Sequence, residues 1–129
     1  MYYYVVKELS KELMASSLAP LVLLILKEGE SYGYEIIQQL REKTNGQLEV
    51  AEGTLYPMLK KMEAKKWVQA AWKKAESGRE RRYYKLSAKG TQQIQEQFSQ
   101  WNFINDIMQK LWHPSISIFS NQLTFTLKK

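Results

Sequence analysis

Between Gly53 and Gly90 the chain reads GTLYPMLKKMEAKKWVQAAWKKAESGRERRYYKLSAKG, a stretch whose cations are spaced for contact with a polyanion. Leu55, Met58, Leu59 and Met62 recur at i, i+3, i+4 and i+7, the stripe of a helix with one buried face. Gly53, Tyr56, Pro57, Lys60, Lys61 and Ala64 fall on the opposite side, which is compact and cationic. Trp67 to Trp72 and Arg81 to Leu86 then read as two strands rich in aromatic and bulky residues, joined by KKAESGRE with Gly78 at the turn. Helix, basic hairpin and the start of another helix spell a winged helix. In that arrangement the helix enters the major groove of duplex DNA and the wing follows the adjacent backbone or minor groove. Lys60 is placed for a base-edge contact and Lys61 for phosphate, while Gly53, Pro57 and Ala64 keep the approach close, Tyr56 reaches phosphate or base edges, and Thr54 belongs to the same DNA-binding set. Arg79, Arg81 and Arg82 supply planar, permanently charged donors. Arg81 and Arg82 point to opposite faces of their strand, so at most one faces DNA directly and the other is free to pair with a nearby glutamate.

The charge is unevenly spread. Net charge is +6, yet Lys60 to Lys89 alone holds eleven Lys or Arg against three Glu, a local +8. The remaining eight bases and ten acids come to −2, so the whole positive excess coincides with the reading helix and the wing. Phosphate neutralisation is what such a stripe does best. An enzyme is disfavoured: one histidine (His113) stands beside a proline, Asp106 is the one aspartate, and no glycine-rich phosphate loop or paired metal-ligand motif occurs. No metal and no cofactor is expected. The lack of cysteine excludes disulfides and fits a reducing, cytoplasmic setting. The longest apolar run, Leu18 to Leu26, falls far below the roughly 20 residues needed to cross a bilayer, so no membrane partner is expected.

These groups need a scaffold. A chain of 129 residues makes one modest core and is small enough for dimerisation to be the default expectation. The pattern becomes helical from about Ser10, meets Pro20 with an expected kink or junction of two helices, and closes at Gly29. Ser31 is placed to cap the next helix, through Ile36, Ile37 and Leu40, where Ser31 and Tyr32 add amide and hydroxyl contacts to phosphate. Thr44, Asn45 and Gly46 end that helix. The third helix starts between Ala51 and Thr54; the later start puts Pro57 in the first turn, where its missing N–H costs nothing. From Ala88 a long helix carries Ile94, Phe98, Trp101, Met108 and Trp112 on heptad-like spacing with Asn105 in the gap, a seam that requires a partner helix. Pro114 is expected to stop it. The tail alternates Ile116 and Ile118, then Leu123, Phe125 and Leu127, as in a short hairpin or added strand, or is disordered. The fold expected is mainly α with a small β-hairpin: a winged domain over 11–87, a dimerisation helix over 88–113, an extension at 1–10 and a tail at 114–129.

GTLYPMLKKME, the preceding YGYEI and the following GRERRYYKLSAKG together resemble the PadR family of bacterial transcriptional regulators, over about Lys11 to Leu111. The resemblance implies a homodimer on a double-stranded DNA operator and moves the start of the third helix toward Ala51. Residues 1–8 have no counterpart in it. FSQWNFINDIMQKL most resembles the multidrug-sensing repressors, which hold flat aromatic drugs between tryptophans of two subunits. A tryptophan in a helical seam is core on periodicity alone. The resemblance instead implies that Trp101 stacks on a planar aromatic ligand, with Phe98, Leu13 and Leu24 as walls and Asn105 nearby. The chain departs from the drug-sensing pattern at Asn105, where relatives carry an acid, and at Pro20; Asp106 lies one residue on. The competing readings are a winged adaptor that binds protein and a DNA-binding regulator without a ligand. The concentrated basic charge weighs against the adaptor.

Overall fold

A computed structural model of the chain describes residues 9–127, with side chains as far as Trp112. The extension at residues 1–8 lies outside the described residues. Two compact units result, 9–97 and 98–127, with the boundary falling inside the last helix.

In the first unit, α1 (Lys11–Lys27) starts at Ser10, whose hydroxyl accepts the Leu13 N–H at 3.1 Å. It buries Leu18, Val22, Leu23, Ile25 and Leu26. Of the kink or junction of two helices expected at Pro20, the junction is excluded, since α1 is one helix with Pro20 inside it. Proline forfeits a single N–H bond, at about 3 kcal/mol, and burial of the aliphatic residues on both sides, at roughly 1.5–3 kcal/mol each, outweighs that loss.

β1 (Ser31–Tyr32) and α2 (Gly33–Lys43) follow. Ser31 does not cap α2, as the sequence suggested: Tyr32 is the N-cap residue and makes no side-chain cap bond. Ser31 pairs with Tyr84 of the sheet, which turns its side chain inward to 3% exposure, where the hydroxyl accepts a bond from Gln39 Nε2 at 2.8 Å. α2 ends at Thr44, whose hydroxyl donates to the Leu40 carbonyl at 2.7 Å and accepts the Leu48 N–H at 3.0 Å. Left-handed Asn45 and Gly46 then reverse the chain.

α3 (Glu52–Ala64) begins after Ala51, the earlier of the two possible starts. Pro57 is therefore inside the helix, and the carbonyl it leaves unbonded belongs to Gly53, which is exposed to water. β2 (Val68–Lys74) and β3 (Glu80–Leu86) form the hairpin, in register from Val68↔Leu86 to Lys74↔Glu80. Its loop is closed by Ala75 N–H to Arg79 carbonyl at 2.8 Å, with Gly78 at φ 89°. The sheet has the order β1-β3-β2, antiparallel throughout, so β1 is a third strand that the sequence did not reveal. Leu55, Leu59 and Met62 of α3 meet the buried faces of α1 and α2 and Val68, Trp67 and Tyr84 in one core.

α4 (Ala88–Leu127) is capped by Ser87, which accepts the Gly90 N–H at 3.0 Å and donates to the Lys66 carbonyl at 2.7 Å. Gly90 allows that close seat: a Cβ there would come within 2.9 Å of Leu86 and into the Trp67 backbone. The helix continues past Pro114, where a stop was expected, as far as Leu127. A proline removes one backbone bond while the turns on either side keep theirs, so a long helix passes through it. The mainly helical fold with a small sheet and a long C-terminal helix is that of a winged helix. Among the described residues, no helix is long and apolar enough to cross a membrane.

Candidate nucleic-acid interface

The α3 face opposite the core is open along its length. Gly53, Thr54, Tyr56, Pro57, Lys60, Lys61 and Ala64 are all exposed, while Leu55, Leu59 and Met62 are fully buried. Lys60 and Lys61 make no ion pair among the described residues, so both ammonium groups are available to phosphate or base edges.

Tyr56 is held differently from the lysines. Its ring lies against the buried Gly33 at the start of α2, where a Cβ would come within 2.6 Å of the ring carbons. Burial of the phenol, and after it the charge of Glu52, hold its pKa above 10, so the hydroxyl remains a neutral donor. This contact fixes the spacing between α2 and the reading helix. It explains the glycine within YGYEI, which the sequence reading used only as a family signature.

The wing sorts its arginines by strand alternation. Arg82 turns to the side of α3 and pairs with Glu63 at 2.8 Å, its guanidinium 6.0 Å from the Trp72 ring. Arg81 turns to the other face, with its guanidinium 4.7 Å above the Tyr32 ring. Tyr32 meets Tyr83 edge to face at 5.2 Å, and Lys73 lies 4.8 Å over Tyr83 while pairing with Glu30. That face is a cation–π layer in which Tyr32 and Arg81 are already engaged. Arg79 is exposed near the hairpin tip and has no ion-pair partner among the described residues. The sequence placed Arg79, Lys60, Lys61 and Tyr56 on one tract with the wing, and these are the solvent-facing members. Ser31 is buried. Glu63 was not singled out as Arg82's partner, although alternation had left one of the two arginines free to pair with a nearby glutamate.

The same geometry recurs in known proteins. A sequence model of the Transcriptional regulator PadR-like family matches residues 22–96. The chain belongs to that family. A transcriptional regulator from Clostridium thermocellum superposes with a TM-score of 0.71 at 25% identity, over 78% of this chain and 97% of that one. A PadR family transcription regulator from Clostridium difficile superposes with a TM-score of 0.64 at 31% identity, over 74% and 98%. An uncharacterised protein of Lysinibacillus sphaericus is 27% identical over 75% of this chain and 89% of its own. The matched residues span α2, α3 and the wing, so this PadR-family chain is a DNA-binding transcriptional regulator. Among the described residues no group of His, Cys, Asp or Glu is arranged to hold a metal.

The candidate ligand and dimer residues lie on two helices. Leu13 and Leu24 are partly exposed on α1. Ile94 is half-buried against the first unit's own core. Farther along α4, Phe98, Asn105, Met108 and Trp112 are exposed and Trp101 is half-buried. Phe103, Ile104, Ile107 and Leu111 are exposed too, a second apolar stripe beside the seam that heptad counting did not single out. An open groove of about 450 Å³ at the end of α1 is lined by Glu28, Glu30, Glu35 and Glu42 and contains none of the candidate ligand residues.

Proposed function

We propose that this PadR-family regulator is a dimeric repressor that binds a near-palindromic operator through α3 and the wing of each copy, and that a planar aromatic compound bound at the dimer centre relieves it. One observation carries the dimer. Seven large apolar side chains between Phe98 and Trp112 are exposed on a single helical stretch, more than an isolated helix keeps in water. A second copy of the same helix covers them, with Phe98, Trp101, Met108 and Trp112 at the seam and Asn105 fixing its register. Half-sites then lie about 34 Å apart, roughly one turn of DNA.

The ligand reading rests on Trp101. Its indole is half-buried on α4, one turn from the exposed Phe98, and two such indoles across a two-fold axis frame a flat apolar slot. Asn105 in place of an acid leaves the slot without a seam carboxylate, so neutral planar compounds bind as well as cationic ones. The test is titration of wild type and Trp101→Ala with planar aromatic dyes. Removing the indole lowers affinity about fivefold or more while operator binding persists. Equal affinity in a folded, dimeric variant makes Trp101 a core residue and removes the ligand from the account. A ligand acts as inducer only through unequal affinity for the DNA-bound and free dimer, so operator affinity measured with saturating dye decides induction.

A further inference from the structure

Trp72 is the most exposed large hydrophobic residue of the first unit, at 63%, and contact of α3 with the major groove gives it no role. It lies on β2, an edge strand, directly opposite Arg82 of β3. Val68, Ala70 and Trp72 share one face of β2 by alternation. Val68 is buried, Ala70 half-buried and Trp72 exposed, so the face that packs on the core becomes the face of the wing turned to the α3 side. The cross-strand partners follow the same gradient: Tyr84, opposite Ala70, is buried, and Arg82, opposite Trp72, pairs with Glu63 near the end of α3. A large indole is thus held in water at a place tied to the reading helix through Arg82 and Glu63. Lys73 and Lys74 follow it directly in the chain.

We infer that Trp72 packs against the sugar-phosphate strand of DNA that separates the major groove entered by α3 from the minor groove beneath the wing. This rests on the DNA-binding reading of α3 and the wing. The chemistry fits one target. The indole face covers the apolar edge of deoxyribose, its Nε1–H donates to a phosphate oxygen, and Lys74, on the same face of β2 and without an ion-pair partner among the described residues, matches the charge of that strand. The contact is insensitive to base identity and positions the wing at a fixed distance from the reading helix.

The experiment measures binding of wild type, Trp72→Phe, Trp72→Ala and Lys74→Ala to one operator duplex and one unrelated duplex over a range of salt. Trp72→Ala weakens both duplexes about fivefold to tenfold with the slope of log K against log salt unchanged, because apolar burial releases no counterion. Lys74→Ala lowers the magnitude of that slope by about two for the dimer, one phosphate contact per copy. Trp72→Phe keeps the ring, loses the donor and falls between. A second readout covers variants that fold poorly: on adding duplex, the wild-type emission spectrum minus that of Trp72→Phe shifts to the blue as the indole leaves water. Unchanged affinity in Trp72→Ala, or no spectral shift on saturation, overturns the inference and leaves Trp72 to a protein partner. Failure of wild type to bind any duplex overturns the DNA-binding reading itself, a result distinct from the first.

Discussion

Replacing Gly33 by alanine probes how the reading helix is seated. Gly33 is the first residue of α2, and a Cβ there comes within 2.6 Å of the Tyr56 ring carbons, about 0.8 Å closer than the 3.4 Å at which ordinary contact begins. Gly33 is buried and follows directly on β1, so relief of the clash requires the outer end of the Tyr56 side chain, which is 43% exposed, to leave its seat beside Gly33. Overpacking of this size costs about 1–3 kcal/mol. Alanine returns at most ~1 kcal/mol of helix propensity, and less in a first turn. The net loss of about 1–2 kcal/mol lowers the melting temperature by roughly 4–8 °C per kcal/mol for a domain of this size. Denaturation is followed at a fixed protein concentration, since dimerisation makes the midpoint concentration-dependent. In a double-mutant cycle with Tyr56→Ala, the double variant loses less than the sum of the singles by about 1 kcal/mol, because the truncated side chain removes the clash. A Gly33→Ala protein as stable as its parent, or strictly additive losses, refutes the contact as the element that spaces α2 from α3.

Three further outcomes follow from the same geometry. Lys60→Ala reduces discrimination between operator and unrelated duplex, whereas Arg79→Ala weakens both alike and lowers the magnitude of the salt slope by about two for the dimer; competition binding on the two duplexes separates these. Met108→Asp places an unpaired charge among the exposed apolar residues of α4 and yields monomer in sedimentation, while an intact dimer moves the interface off this helix. Ser87→Ala removes the bond to the Gly90 N–H and lowers stability by about 1 kcal/mol in urea titration; a change below a few tenths shows that the cap is replaced by water.

The reading helix and the wing were legible because each has a period that composition makes visible. Leu55, Leu59 and Met62 repeat on one side of a helix, and β2 and β3 carry aromatic residues around a turn glycine. Ser31 was misread because a two-residue strand has no period at all. Its pairing with Tyr84 comes from residues more than fifty positions away, and a serine before a helical pattern looks locally like a cap. Pro20, Pro57 and Pro114 share another cause. Local rules assign proline to helix ends, yet all three lie within helices, where neighbouring turns and, for Pro20 and Pro57, buried flanking residues compensate for one missing donor. The contact of Gly33 with Tyr56 and the Glu63–Arg82 pair are long-range, and no spacing in the chain announces them. Alternation did establish that Arg81 and Arg82 have separate fates, and the structure supplies their partners, Tyr32 and Glu63.

The most direct test of the central claim, that the α3 face and wing form one electrostatic surface for duplex DNA, is the salt dependence of equilibrium binding to DNA from upstream of the protein's own gene. About six to eight phosphates neutralised per dimer give a slope of log K against log salt of roughly −5 to −7. A slope near zero, or no binding to any duplex at low salt, contradicts the account.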